Sequence, residues 1–585
     1  MIDTAKRAAP SAAPSPLARP TGEFPRRFVP KDADLGDWAR IAPLFDELER
    51  RAIASAADLE KLVLDYSELV SALSDERARR SIATSRDTED AALERAFLAF
   101  VKEIEPKASE RGDAISRKIA SDPSAKALPE RYTVYLRNTR NQIEIFRAEN
   151  LPIEAEVEEL AQAYGKITGS WSVLFRGEEK TLTQLALAFQ EKDRLLRQEA
   201  FEAAAGRRLR NRDAIDDIYD AMIAKRTAMA RSAGFPSFVE YRFRQLNRFD
   251  YTPADCEKLH AAVEKVAVPL QREMREERRE ALALDELRPW DLDVDTRGLP
   301  GLRPFTEVAR LVSGAGEIFS RLDPELAAQF RLLDEKGMLD LENRKKKRPG
   351  GYCYTLDESR IPFIFANAVG VDDDVRTLLH ECGHAFHSLA CRNEPLVFYR
   401  DAPTEFAEVA SMSMELLGAP HMTAYYGEAD CARSRREALE DIVRTFTWVA
   451  TIDAFQHWIY RHPGHSRAER KAAWLAFADR FSDSLDWSGY EEVRASAWQR
   501  QLHLFFHPLY YVEYAIAQIG ALQVWLRARE NAPKALADYR KGLSLGGSKP
   551  LPQLFEGAGV RFDFGEAMLE KLLGAVRDEW RSLGH

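Results

Sequence analysis

Three histidines and one glutamate fall within a single run of fourteen residues, TLLHECGHAFHSLA, from Thr377 to Ala390. On a helix turning 100° per residue, His380 and His384 stand four apart and only about 40° apart around the axis, so both imidazoles can close on one ion. Glu381 lies beside that face, where a carboxylate that does not bind the metal still reaches a water next to it. The arrangement is H-E-x-x-H, the spacing of a catalytic zinc site. Cys382 points the other way, in line with Leu378, Phe386 and Leu389, and reads as packing rather than as a ligand. Nine of the eleven histidines lie between His380 and His507, less than a quarter of the chain.

A catalytic zinc takes three protein ligands and leaves a position for water. The third ligand is not a histidine six residues beyond His384, because Ala390 stands there. It is expected from TEFAEVASMSMELLG, Thr404 to Gly418, where Glu405, Glu408 and Glu415 recur at helical spacing in a stretch with no other charge. Glu408 is the expected ligand and Glu405 the alternative. Glu415 would hold the free ring N–H of a ligand histidine and so fix its tautomer. His387 projects a turn beyond the pair, as support or as a substrate contact.

These residues need elements to hold them. From about Leu35 to Gly234 the chain repeats apolar residues at i, i+3, i+4 and i+7, which predicts successive amphipathic helices. Breaks fall near Pro123, near Pro152 and at Gly234. A Pro/Gly-rich connection, RPWDLDVDTRGLPGLRPF, then marks a boundary or a loop lining a cleft. GGYCYTLDESRIPFIFANAVG, Gly350 to Gly370, reads as a β-hairpin, and its edge could take a substrate backbone as an added strand, which brings Gly351 and Tyr352 into substrate binding. Asp372 to Asp374 would cap the helix that follows. The run RKKKR, Arg344 to Arg348, reads as a solvated loop.

Composition excludes several classes. With 585 residues the chain exceeds one core, so two or more packed lobes are expected. A net charge of −10 disfavours nucleic acid, whose phosphates need clustered Lys and Arg. Five cysteines without a CxxC pair suit a reducing compartment, and a cytoplasmic location is expected. The N-terminus is rich in Ala and Pro and lacks an apolar run, so a floppy tail is expected there rather than a signal or an anchor. Val512 to Leu526 is apolar but too short and too often interrupted to cross a membrane.

HECGHAFH together with AEVASMSMELL resembles the M3 family of zinc metallopeptidases, in its oligoendopeptidase F branch. ITGSWSVLFRGEEKTLTQL, ARSAGFPSFVEYRF, RPWDLD and HLFFHPLYYVEYAIAQ extend the likeness from about Tyr164 to the C-terminus. The family pattern falls on His380, Glu381, Gly383, His384 and His387, with its downstream glutamate at Glu408. The family's late segment, whose His and Tyr stabilise the transition state, resembles HLFFHPLYYVEY, which implies His503, Tyr511 and Tyr514, with His507 and Tyr510 nearby as substrate contacts or substitutes. Met412 follows Ser411 at a place where some related zinc enzymes have an acidic residue.

The resemblance implies a mainly α fold: a two-lobed helical ellipsoid with a deep substrate channel and a small β-sheet next to a zincin-like HExxH helix. Composition and periodicity, together with the resemblance, divide the chain into a disordered tail over 1–30, a helical lobe over 31–200 and a catalytic region over 201–585. Within the catalytic region the resemblance implies a zinc core at about 350–430 and a late substrate-contact segment at about 500–526. It implies one Zn2+ per chain and short peptides as substrates, cleaved internally by Glu-assisted attack of water; the sequence leaves the oligomeric state open, with a monomer favoured. An exopeptidase and a catalytically silent peptide binder of the same fold are the alternatives. Retention of Glu381 speaks against the binder, which needs no general base.

Overall fold

The computed structural model describes residues 23–482 and 484–584. The chain is mainly helical, with two small sheets. The expected tail over 1–30 lies outside the described residues as far as residue 22. From Glu23 the chain is already packed, for Glu23 pairs with Arg392, Arg26 pairs with Glu358 and Val29 is buried.

Apolar packing forms two main clusters. One joins Leu44, Leu59 and Tyr132 to Leu396 and Tyr399. The other, far larger, already includes Ile145 and Tyr164 and continues to Trp580. The clusters interleave along the chain, for Ala78 and Ile82 belong to the larger one while Leu136 belongs to the smaller.

Strands β1 (Ser172–Phe175) and β2 (Glu178–Thr181) form a separate hairpin. The sheet that matters for the site has β3 (Leu339–Glu342), β4 (Tyr352–Leu356) and β5 (Ile361–Ala368) in the order β3-β5-β4. The expected hairpin is β4 and β5, antiparallel, with Tyr352 opposite Phe365. β3 adds a parallel strand that the sequence did not announce. Central β5 is almost wholly buried, and it tolerates Pro362 because β3 first pairs at Ile364, so no ladder partner is denied a donor there.

Helix α1 (Ala56–Arg86) clamps this sheet from outside. Arg77 donates to the Tyr354 hydroxyl at 2.8 Å, Asp75 accepts from the Ser359 N–H at 2.9 Å, and Arg86 reaches Asp340 at 2.9 Å. Asp340 also corrects the reading of RKKKR as a solvated loop. Lys347 is buried, 2.9 Å from Asp340 and donating to the carbonyls of Asp340 and Glu342, while Arg344 pairs with the same carboxylate. A buried ammonium is tolerated when an opposite charge and carbonyl acceptors surround it. Burial still pushes Lys347 down to about 8, against the pull of Asp340.

After β5 the chain turns at Gly370, φ +92°, into helix α2 (Asp372–Ala390). A side chain at Gly370 would also meet the Phe305 carbonyl oxygen at 2.7 Å. Of the three aspartates expected to cap α2, only Asp374 does so, accepting from the N–H groups of Val369, Gly370 and Val371 at 2.7 to 2.9 Å. Asp372 instead accepts from the hydroxyls of Tyr426 and Ser434. Three more helices complete the frame: α3 (Thr404–Gly418), α4 (Glu428–Arg461) and α5 (Val512–Leu543). The apolar run Val512 to Leu526 is the buried first half of α5, which kinks at Asn531 ahead of Pro533. No described helix is long and apolar enough to cross a membrane.

Candidate metal centre

The close approach of α2 to α3 depends on Gly383. A methyl group there would lie 2.5 Å from the Ala410 carbonyl oxygen and 2.5 Å from Ser411 Cα, so only glycine lets the two backbones touch. That contact sets His380 and His384 of α2 against Glu408 of α3. Glu408 Oε2 is 3.3 Å from His380 Nε2 and 3.6 Å from His384 Nε2, and the three donor atoms lie within 4.8 Å of one another. Two imidazole nitrogens and one carboxylate oxygen converging on a point, with both rings half-buried and open on one side, suit a zinc ion with a free position.

Neighbours tune each donor. Glu415 Oε1 lies 2.6 Å from His380 Nδ1, so the proton on that nitrogen turns Nε2 and its lone pair toward Glu408. Without an ion, burial works against charge on His380, but Glu408 and Glu415 outweigh it and raise its pKa well above the usual value. Burial, aided by repulsion from His380, holds His384 at about 4 despite Glu408. Glu408 is raised by burial but drawn down to about 2 by the two histidines and by the Ser411 hydroxyl, which donates at 2.7 Å.

Glu381 is half-buried on the neighbouring face, where its carboxylate accepts from the Cys353 N–H of β4. Burial raises it to about 7, moderated by His380. That is the range in which one carboxyl group can both take and return a proton near neutrality. Beside His380 and Glu381 opens a cavity of about 400 Å³, walled by Met412, Leu416, Gln518 and Trp525.

The alternative ligand Glu405 is not brought to the centre. It accepts from the Tyr251 hydroxyl at 2.6 Å and faces Arg248 at 3.6 Å, within a buried network that also holds Glu513. His387 also differs from the expectation of a substrate contact. It is fully buried behind the pair, edge-on to Phe406, and burial pushes it down to about 3. Cys382 is buried on the opposite side, as its place in the apolar stripe predicts. Cys256, Asp453 and His457 form a second donor group among the described residues. They are wholly enclosed, and His260 occupies the Asp453 carboxylate at 2.8 Å, which leaves no face for a substrate.

The late segment gathers as one aromatic group. His503 has Tyr511, Tyr514 and Tyr510 at ring separations of 4.8, 5.9 and 6.1 Å, and His507 at 6.2 Å. Leu509, at φ +59°, makes the turn that presents the tyrosines, held by its N–H donating to Gln456 at 2.7 Å. Burial raises Tyr514, and the Glu408 carboxylate adds to it, which places this hydroxyl in the field of the metal centre.

Sequence reasoning missed Gln501. Its Oε1 accepts from Trp448 Nε1 at 2.9 Å, which orients the amide so that Nε2 donates to His503 Nδ1 at 2.7 Å. Burial keeps His503 neutral, at about 4, so its one ring proton sits on Nε2 as a donor. Only the short spacing from Gln501 to His503 hinted at this link. Tyr352 begins β4, an edge strand of its sheet, with Gly351 just before it, and Tyr352 stacks on Phe365 at 4.7 Å.

Known proteins resemble the chain over most of its length. The sequence pattern of Peptidase family M3 matches residues 187–573, and that of the Peptidase M3 N-terminal domain matches residues 34–146. The chain is 30% identical over 149 residues to the chromosomal oligoendopeptidase F of Lactococcus lactis subsp. cremoris, covering 25% of this chain and 24% of the relative. It is 26% identical over 301 residues to an oligoendopeptidase F homolog of Borreliella burgdorferi, covering 49% of each. Those matches thus span about a quarter and about half of the relatives' lengths. The solved structure of PZ peptidase A with an inhibitor superposes with a TM-score of 0.87 at 27% identity, covering 95% of this chain and 99% of that one.

Proposed function

Because the chain belongs to Peptidase family M3, on its oligoendopeptidase F branch, we propose that it is a zinc-dependent oligoendopeptidase that hydrolyses internal bonds of short, unstructured peptides. The observation that carries this reading is the convergence of His380, His384 and Glu408 beside a half-buried Glu381. His380, His384 and Glu408 would hold the ion. Zinc at such a site lowers the pKa of water and polarises a carbonyl.

The remaining chemistry belongs to the chain's own side chains. Glu381 takes the proton of the attacking water and passes it to the leaving amine. Charge that develops on the carbonyl oxygen would be met by donors of the late segment: His503 through Nε2–H, and the hydroxyls of Tyr514 or Tyr511. Glu415 keeps His380 oriented. The outer edge of β4, from Gly351 and Tyr352, would take substrate backbone as an added strand, with Tyr510 and His507 flanking the peptide. Recognition through backbone tolerates many side chains. A narrow cavity among helices admits an extended chain and excludes folded proteins.

The test is a pair of variants and a length ladder. Glu381→Gln should bind zinc as the wild type does and lose hydrolysis, whereas His380→Ala should lose both. Cleavage should show a sharp upper length limit and stop with a chelator. Wild-type activity in Glu381→Gln, or digestion of native folded proteins, would overturn the proposal.

A further inference from the structure

A second cavity, of about 520 Å³, adjoins the one beside the metal centre. Thr445 of α4 lines both, and Tyr511 forms part of the second cavity's wall. Its charge is lopsided: Arg208, Arg275, Arg444, Arg494 and Arg500 line it against a single carboxylate, Asp293. Three of these arginines are engaged. Arg275 donates to the Ser482 carbonyl at 2.6 Å, Arg444 pairs with Asp441 and lies 3.6 Å from Asp293, and Arg494 pairs with Asp479.

Arg208 and Arg500 are not. Among the described residues neither guanidinium meets a carboxylate, and Arg208 Nε is buried without a hydrogen-bond partner. Arg500 lies over the face of Trp448, 5.0 Å from the ring centre. Burial and repulsion from Arg500 hold Arg208 down at about 10, and burial also lowers Arg500. Two cations that line one cavity without a carboxylate partner call for an anion, and a planar carboxylate matches the guanidinium fork. The aromatic side chains of Trp171, Phe189 and Trp487 give the same cavity apolar walls suited to peptide side chains. Every unmodified peptide brings one carboxylate, at its C-terminus.

We propose that Arg208 and Arg500 bind a carboxylate of the peptide substrate, foremost its C-terminal α-carboxylate, so that this cavity measures the distance from the scissile bond to the end of the peptide. The inference rests on the peptidase reading. It goes further by assigning a charge-selective subsite on the leaving side of the cleaved bond, which neither the zinc ligands nor Glu381 supply.

The experiment uses the full-length zinc-loaded enzyme and internally quenched peptides. These carry two to eight residues after the cleaved bond, each made as free acid, as C-terminal amide, and as amide with a terminal-proximal Asp or Glu. At the length that spans the cavity, the free acid should show a KM at least about tenfold below the amide with kcat within a few-fold. Arg208→Gln and Arg500→Gln should bring the acid-to-amide ratio close to one. Restored affinity in the acidic-side-chain amide would identify a side-chain carboxylate as an equally good ligand. Equal KM for all three peptides at every length in the wild type would overturn the inference, and that comparison depends on no variant folding. Failure to cleave any peptide would instead strike the peptidase reading. In that case, anisotropy titration of labelled acid and amide peptides against Glu381→Gln still reads the subsite, and equal affinities there would refute it.

Discussion

Gly383→Ala separates two explanations for a glycine inside the motif helix. Helix propensity alone makes the change stabilising by about 1 kcal/mol, since alanine is the better helix former. The packing predicts the opposite sign. The added methyl would stand 2.5 Å from the Ala410 oxygen and 2.5 Å from Ser411 Cα, both backbone atoms that no side-chain rotation can move aside. Relief requires α2 and α3 to part by about 1 Å, and overpacking of this kind costs about 1 to 3 kcal/mol. The net expectation is a loss of up to about 2 kcal/mol in urea unfolding of the metal-free protein. The same displacement carries Glu408 away from His384, already 3.6 Å distant. Ligand positions in a zinc site tolerate only about 0.2 Å of misfit, so zinc affinity should fall at least about tenfold in competition with a fluorescent chelator. A variant that binds zinc as tightly as the wild type and is equally or more stable would refute the idea that this glycine sets the ligand geometry.

Gln501→Glu tests the orientation of His503. A carboxylate at that position accepts from Nδ1–H and so strips the proton from Nε2 in the neutral ring, and kcat should fall about 10 to 100-fold with KM and zinc content little changed; a kcat within twofold of wild type would remove His503 from oxyanion stabilisation. His387→Leu tests the buried imidazole behind the metal pair. The folded-state pKa of about 3 lies below the unfolded value, so the unfolded chain binds the extra proton and stability falls as pH drops from about 6.5 toward 3. Replacing His387 should flatten that slope by up to about 2 kcal/mol between pH 6.5 and 5 in urea unfolding of the metal-free protein, and an unchanged slope would show that His387 is not held neutral by its surroundings.

What the sequence made legible, and what it did not, follows from how far apart interacting residues lie. His380, Glu381 and His384 share one turn of one helix, so their spacing alone carries their geometry. Glu415 to His380 was within reach of the same reasoning, because two helices with facing stripes bring a residue near the end of α3 to one in the middle of α2. Choosing Glu408 over Glu405 is different in kind. The two stand one turn apart on the same stripe, and what removes Glu405 is the arrival of Tyr251 and Arg248 from a segment some 150 positions earlier. Lys347 was misread for the same reason: its burial depends on Asp340, and Asp340 depends on Arg86 at a separation of 254 residues. β3 went unseen because four residues, LDLE, pair in parallel with β5, and such a short strand carries no alternation that a window can measure.

The arginine-lined cavity shows the limit most clearly. Arg208 and Arg500 come from two widely separated helical segments, and nothing in the local sequence of either distinguishes it from an ordinary solvated arginine. Their meaning lies in a missing partner, a property of the assembled interior and not of the chain. In the metal centre the signal is the presence of ligands at fixed spacing, whereas in the neighbouring cavity it is an imbalance of charge that appears only once burial has decided which carboxylates are near. A sequence therefore discloses chemistry that one helix can hold, and leaves to the fold the selectivity that several must share.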